Sequence, residues 1–230
     1  MPLNKLNIAV LTGAGISAES GLGTFRGNNG LWDNHKIEDV ASYDGFKRNP
    51  KLVLDFYNMR RRQCLDALPN AAHFGLKKLE EKYDVNIVTQ NIDDLHERAG
   101  SKNVLHLHGE ILKMRSVLDD NKRYDILSDI NVGDKAPDGG QLRPDVVWFG
   151  EAVPKIEEAI SIMQKADIFI LIGSSLVVYP AAGLMDVLGN DVPKYVIDKE
   201  ISHLPYLKNI VAIEKKATEG MEELLSYLVL

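Results

Sequence analysis

Cysteine is almost missing from this 230-residue chain: Cys64 stands alone, which excludes an intramolecular disulfide and cannot by itself build a thiolate metal site. No apolar run approaches the roughly 18 residues of a membrane-spanning helix. No charged, apolar and small-residue series marks a secretory leader ahead of the first strand-like segment. Positive charge is not in excess, since 27 Lys and Arg stand against 33 Asp and Glu, a formal charge of −6. That balance argues against a nucleic-acid footprint, and Arg60-Arg61-Arg62 is the one basic cluster. These absences set the expectation of a reducing cytoplasm, with no membrane and no specific nucleic acid among the partners. What is present is an ordinary globular composition, 45% apolar and 26% charged. The length suits one large domain, or one domain with a small insertion, able to bury about 70% of its unfolded surface.

Turn residues punctuate a series of short apolar runs. Leu6–Thr12 leads into Gly13-Ala14-Gly15, and residues 16–20 can start a helix, which is how an α/β unit opens. Comparable runs stand at Val85–Thr89, Val104–Leu107, Asp145–Trp148, Asp167–Ile172, Lys194–Ile197 and Ile210–Ile213. Several are apolar throughout, as expected of strands covered on both faces. Helical periodicity fits Pro50–Leu65, Asn70–Lys82, Lys155–Gln164, Ala181–Leu188 and Thr218–Leu228. The alternation predicts an α/β fold with a doubly wound parallel sheet. Two stretches break it: residues 24–82 are too long for one crossover helix, and 109–143 are rich in aspartate and poor in apolar side chains. Both read as insertions that together form a small second lobe of a single catalytic domain, the large part being 1–23, 83–108 and 144–230. A cleft between sheet and lobe would lie beyond the carboxyl ends of the strands, where open α/β sheets take their ligands.

Gly13-Ala14-Gly15-Ile16-Ser17-Ala18 fits G-x-G-x-x-G/A directly after a strand, where glycines let backbone N–H groups approach a pyrophosphate. A dehydrogenase would add an acidic residue about 20 positions on, ending a second strand. Residues 28–33 here read Asn-Asn-Gly-Leu-Trp-Asp, a loop-like run, and the dehydrogenase reading loses ground.

The motifs taken together are more specific. Thr12–Ser17 followed by Gly23-Thr24-Phe25-Arg26 resembles the paired N-terminal signatures of the sirtuins, NAD-dependent protein-lysine deacylases. Gln90-Asn91-Ile92-Asp93 is similar to their second signature, and Leu107-His108-Gly109 to their catalytic-histidine segment. Arg143 to Glu151, RPDVVWFGE, matches their substrate-loop motif, and Gly173-Ser174-Ser175-Leu176-Val177-Val178 their phosphate and substrate loop, usually written with Thr second. The resemblance runs from about residue 6 to residue 225, in the family's order, and implies a Rossmann-like sheet with NAD as the cofactor.

It also implies roles. The acyl-lysine oxygen attacks the ribose carbon bearing nicotinamide, and a base then frees a ribose hydroxyl to attack the alkylimidate. His108 suits that base, since imidazole titrates near neutrality and such a group contributes about 10²–10⁴-fold. Gln90 and Asn91 would orient ribose hydroxyls and a water, while Ile92 and Asp93 hold the nicotinamide carboxamide, making Asn91 and Asp93 part of the catalytic set with His108. Gly13, Ala14 and Gly15 would line the phosphates, Phe25 and Arg26 would fold over the cofactor, and Gly173, Ser174 and Ser175 would meet phosphate or ribose. Asp198 stands where the family commonly has Asn against the adenosine ribose, and Ala217 would close on the adenine. Val147, Phe149, Gly150 and Glu151 on one loop, with Leu176 and Val178 on the other, would sandwich an acyl-lysine protein or peptide as an extended strand. His106 should point to the opposite face of its strand and is given no role.

Tyr57 and Arg60 lie three apart and share a helix face. The spacing matches the Tyr-x-x-Arg pair of the sirtuin class that removes succinyl, malonyl and glutaryl groups, in which Arg and a phenol meet the acyl carboxylate. The alternative is a solvated basic face over Arg60–Arg62. Deacetylation is expected alongside. Where most sirtuins carry two C-x-x-C pairs, residues 109–143 hold neither Cys nor His, so no thiolate zinc site is possible there and a zinc-free lobe is expected. Two other functions would use the same pocket: an ADP-ribosyltransferase or NAD glycohydrolase, and a non-catalytic NAD-binding sensor.

Overall fold

The computed structural model describes residues 5–24, 31–32, 35–201 and 208–228. In chain order its strands are β1 (Asn7–Thr12), β2 (Leu31–Trp32), β3 (His35–Lys36), β4 (Asp84–Thr89), β5 (Val104–His106), β6 (Gly109–Ser116), β7 (Arg123–Asp125), β8 (Leu142–Val146), β9 (Ile168–Ile172), β10 (Lys194–Asp198) and β11 (Ile210–Glu214). The helices are α1 (Ile37–Val40), α2 (Tyr43–Arg48), α3 (Pro50–Asp66), α4 (Ala71–Leu79), α5 (Leu95–Arg98), α6 (Ile156–Gln164) and α7 (Ala217–Leu228). Six strands form one parallel sheet in the order β11-β10-β9-β1-β4-β5, and β7-β6-β8 form a separate antiparallel sheet. The Rossmann-like doubly wound reading stands.

Period-2 alternation divides the sheet's side chains between two cores. Ile8, Val10, Ile87, Ile170 and Ile172 pack against Ala72, Leu76 and Leu79 of α4 and Met221 and Leu224 of α7. Ala9, Leu11, Val88, Phe169 and Leu171 face the other way, onto Ala159 and Met163 of α6 and the 3₁₀ segment Ala181–Val187. Each aliphatic side chain so buried contributes about 1.5–3 kcal/mol.

Several elements differ from expectation. In place of a helix over 16–20 there are two short 3₁₀ turns, Ala14–Ile16 and Ala18–Ser20, the second ended by Gly21 in the left-handed region at φ 88°. The stretch up to residue 82 divides, because the apolar face of α4 belongs to the large sheet's core and only the earlier helices join the small lobe. The run at Asp145–Trp148 becomes β8, ending at Val146 and paired with β6, so the small sheet extends past residue 143. Val146 and Trp148 bury in the lobe's own cluster, with Val53, Phe56 and Ile111.

That lobe is pinned by polar side chains of α3, a helix opened by Pro50 and capped by the Asn49 side chain accepting from Leu52 N. Asn58 acts as a strand would: its Nδ2 donates to Ile130 O and its Oδ1 accepts from Ile130 N, both at 2.9 Å. Arg61, 1% exposed, donates from Nε to Ile111 O at 2.9 Å and from Nη1 to Ser128 O at 3.2 Å. Burial lowers its pKa to about 10, which still leaves it charged at neutral pH. Arg62 is exposed and meets Asp129 at 2.5 Å. The solvated basic face therefore holds only for Arg62.

Candidate functional site

The strand order reverses beside β1, and there the turns after β1 and β9 meet. Gly15 N donates to Gly173 O at 2.9 Å, and a Cβ on Gly15 would fall 2.5 Å from Gly173 Cα. Gly173 itself has φ +63°, so neither position accepts a side chain without displacement. Above these turns lies a cavity of about 600 Å³. Its wall includes Gly13, Ala14 and Gly15, then Gln90 to Asp93 and His108, then Ser174 and Ser175, with Asp198 and Ala217 at one end and Tyr57 and Arg60 at another. Val147, Phe149, Gly150, Glu151 and Val178 line it too. Phe25 and Arg26 lie outside the described residues. Leu176, φ 55°, packs against the apolar cluster formed with α6.

The segment after β4 is irregular, yet three successive carbonyls are held. Gln90 O lies 3.0 Å from His108 Nδ1, Asn91 O lies 3.0 Å from His106 Nδ1, and Ile92 O accepts from Ile111 N at 2.8 Å. The side chains are tied as well. Gln90 Nε2 donates to Ser174 Oγ at 2.8 Å, linking the turns after β4 and β9. Ser17 Oγ accepts from Asn91 Nδ2 and donates to Asp93 Oδ2, each at 3.0 Å. Ser17 was absent from the expected site; it sits in the first glycine motif, and only the fold puts it between two residues more than seventy positions on. Burial raises the Asp93 carboxyl's pKa, opposed by Leu95 N and the Ser17 hydroxyl. His108 is partly buried, and burial lowers its pKa against the opposing bond to Gln90 O.

A second polar chain builds the far wall. Trp148 Nε1 donates to Tyr57 Oη at 3.0 Å, and the Arg143 guanidinium lies 3.3 Å over the Trp148 ring, a desolvated cation–π contact. Arg143, 2% exposed, grips Glu151 through Nη1 at 2.6 Å and Nη2 at 3.1 Å, while Glu151 Oε2 also accepts from Trp148 N at 2.8 Å. The Glu151 carboxylate thus folds its own loop. Burial holds the Tyr57 hydroxyl protonated by pushing its pKa well up. Arg60 donates to Gln63 Oε1 at 3.0 Å and approaches Gly23 O at 3.5 Å. At the opposite end, Glu19 accepts from Thr218 N at 3.0 Å and Thr218 Oγ1 at 2.9 Å, joining the first turn to the start of α7.

The wall therefore offers backbone N–H groups at crowded glycine turns, hydroxyls, amides, a carboxylate at a strand end and one imidazole. That donor set fits a dinucleotide with two sugars, a pyrophosphate and a carboxamide. Among the described residues no helix is long and apolar enough to cross a membrane.

Comparison with known proteins gives consistent matches. A family model described as the Sir2 family matches residues 13–180. An NAD-dependent protein deacylase of Helicobacter pylori is 53% identical over 225 residues, covering 97% of this chain and 97% of that one. A solved Sir2 homologue–NAD complex superposes with a TM-score of 0.86 at 36% identity, covering 98% of this chain and 90% of that one. A solved complex of Sir2 with a p53 peptide and NAD+ gives a TM-score of 0.81 at 32% identity, over 96% and 92%.

Proposed function

The chain belongs to the Sir2 family, and from that premise we propose that it is an NAD-dependent protein-lysine deacylase favouring acyl groups that end in a carboxylate, succinyl and malonyl, with acetyl alongside. NAD supplies the ribose carbon that takes the acyl oxygen as nicotinamide leaves, so the products are nicotinamide, O-acyl-ADP-ribose and free lysine.

The carrying observation is the tautomer of His108. Gln90 O can only accept, so Nδ1 bears a hydrogen, and in the neutral ring Nε2 then keeps its lone pair. Burial favours that neutral form. A neutral imidazole on the cavity wall is a general base for a ribose hydroxyl. Asn91 and Asp93, bound to one another through Ser17, present an amide and a carboxylate at fixed spacing for the carboxamide and a water. Gln90 and Ser174 form a joined donor pair for the sugar and phosphate, and the Asp198 carboxylate suits the adenosine hydroxyls.

Tyr57 and Arg60 on one face of α3, both on the cavity wall, would meet the acyl carboxylate as a hydroxyl and a guanidinium. The peptide bearing it would run extended between the loops 147–151 and 174–178. The test compares succinyl-, malonyl- and acetyl-lysine peptides with NAD on wild type and Arg60→Met. The variant should lower kcat/KM for the acidic acyl groups about 30-fold or more, equivalent to at least about 2 kcal/mol for a carboxylate left unpaired, and spare acetyl. Equal slowing of all three overturns the acidic pocket. Continued deacylation by His108→Ala overturns the base.

A further inference from the structure

Glu97, His106 and Asn91 form a chain that stops just behind the cavity wall. His106 is 4% exposed, with Nδ1 3.0 Å from Asn91 O and Nε2 2.8 Å from Glu97 Oε1. A carbonyl and a carboxylate oxygen both accept, so both ring nitrogens carry hydrogen and the ring is an imidazolium. Other charges around it agree. Burial alone would lower its pKa, but Glu97, with Glu110 and the bond to Asn91 O, raises it overall. Glu97 is held below its ordinary value against burial by His106, helped by Lys113. Among the described residues, Asp93 and His96 also feel the ring's charge.

Asn91 sits in the irregular segment after β4, where no strand or helix ladder fixes the backbone. Its N–H is held by Thr89 Oγ1 at 3.0 Å, and its C=O has His106. We propose that the His106–Glu97 pair is a positioning unit for the NAD site: by gripping Asn91 O it fixes the Asn91–Ile92 peptide plane and so aims the Asn91 amide and Asp93 carboxylate at NAD. This rests on the reading of the cavity as an NAD site. His106 never touches the ligand; it acts through the carbonyl it holds.

Three variants separate the parts. His106→Leu removes both bonds, His106→Asn keeps a donor at the Nδ1 position, and Glu97→Gln keeps a hydrogen bond while removing the charge. NAD affinity by calorimetry, without acyl-peptide, should fall about 10- to 100-fold in His106→Leu, the scale of a misplaced ligand contact. KM for the acyl-peptide should stay within twofold, and His106→Asn should recover most of the NAD affinity. The ¹⁵N NMR spectrum of ligand-free wild type at neutral pH should show both His106 nitrogens protonated, and Glu97→Gln should return the ring to one bare nitrogen. NAD affinity within twofold of wild type in His106→Leu overturns the proposal, as does failure of His106→Asn to recover, or loss of NAD and peptide affinity together. If His106→Leu does not fold, the ring spectrum decides, and one bare nitrogen in wild type overturns it. Wild type that binds NAD but removes no acyl group refutes the deacylase reading and leaves this one intact.

Discussion

Ile8, Val10, Ile170 and Ile172 are buried among aliphatic neighbours on one face of the parallel sheet, whereas the small lobe closes over Asn58, Arg61 and Arg143, all nearly inaccessible. The sheet is held by area and packing, which are non-directional and present no charges for salt to screen. The lobe has an apolar cluster of its own, but it adds bonds with fixed partners: Arg61 to two distant carbonyls, Arg143 to Glu151 and the Trp148 ring, and Arg115 to Asp145 at 3.2 Å. Apolar contacts set how firmly the sheet holds, while directional contacts set where the lobe's residues sit. Since Trp148 carries the Arg143 contact and donates to Tyr57, the shape of the cavity wall beside Tyr57 depends on charge placement.

Breaking one member of each set sharpens the contrast. Arg61→Ala removes the donor to Ile111 O and Ser128 O and leaves buried carbonyls without it, which should cost about 3–5 kcal/mol in urea unfolding. Leu76→Ala in the sheet's core should cost about 3 kcal/mol, unchanged between low and high salt. Glu151→Gln should cost about 2 kcal/mol, because both carboxylate oxygens accept and one becomes an NH2 facing the Arg143 or Trp148 donors. Its penalty should vary with pH. Burial would raise the Glu151 carboxyl's pKa, but Arg143, Trp148 N and Arg115 hold it below its ordinary 4.5. A carboxylate with a depressed folded pKa stabilises above its unfolded pKa and loses that contribution as pH falls through the folded one. The difference between wild type and Glu151→Gln should therefore be full above pH 4.5 and shrink in acid, a trend that Leu76→Ala does not share.

The same contrast explains what could be read from residue order. Continuous apolar runs such as Ile168–Ile172 announce a strand covered on both faces, and the glycine turns after them locate the ligand end of the sheet. Short motifs carry His108, Asn91 and Asp93, and the fold brings all three to one cavity wall. Arg61 was not legible: its partners lie 50 and 67 residues away, and a run of three arginines looks like a wet surface until the helix is docked. His106 carries no motif signal of its own, and only the fold sets its ring 3.0 Å from Asn91 O, behind the cavity wall. The strand Leu142–Val146 shifted because its pairing partner, β6, lies across a loop whose length carries no register signal.

The clasp between Glu19 and Thr218 spans 199 positions. A chain emerging from the ribosome carries its first glycine turn without this bond until Thr218, 199 positions on, has been made. Through Thr218 N the same carboxylate also answers one of the first N–H groups of α7.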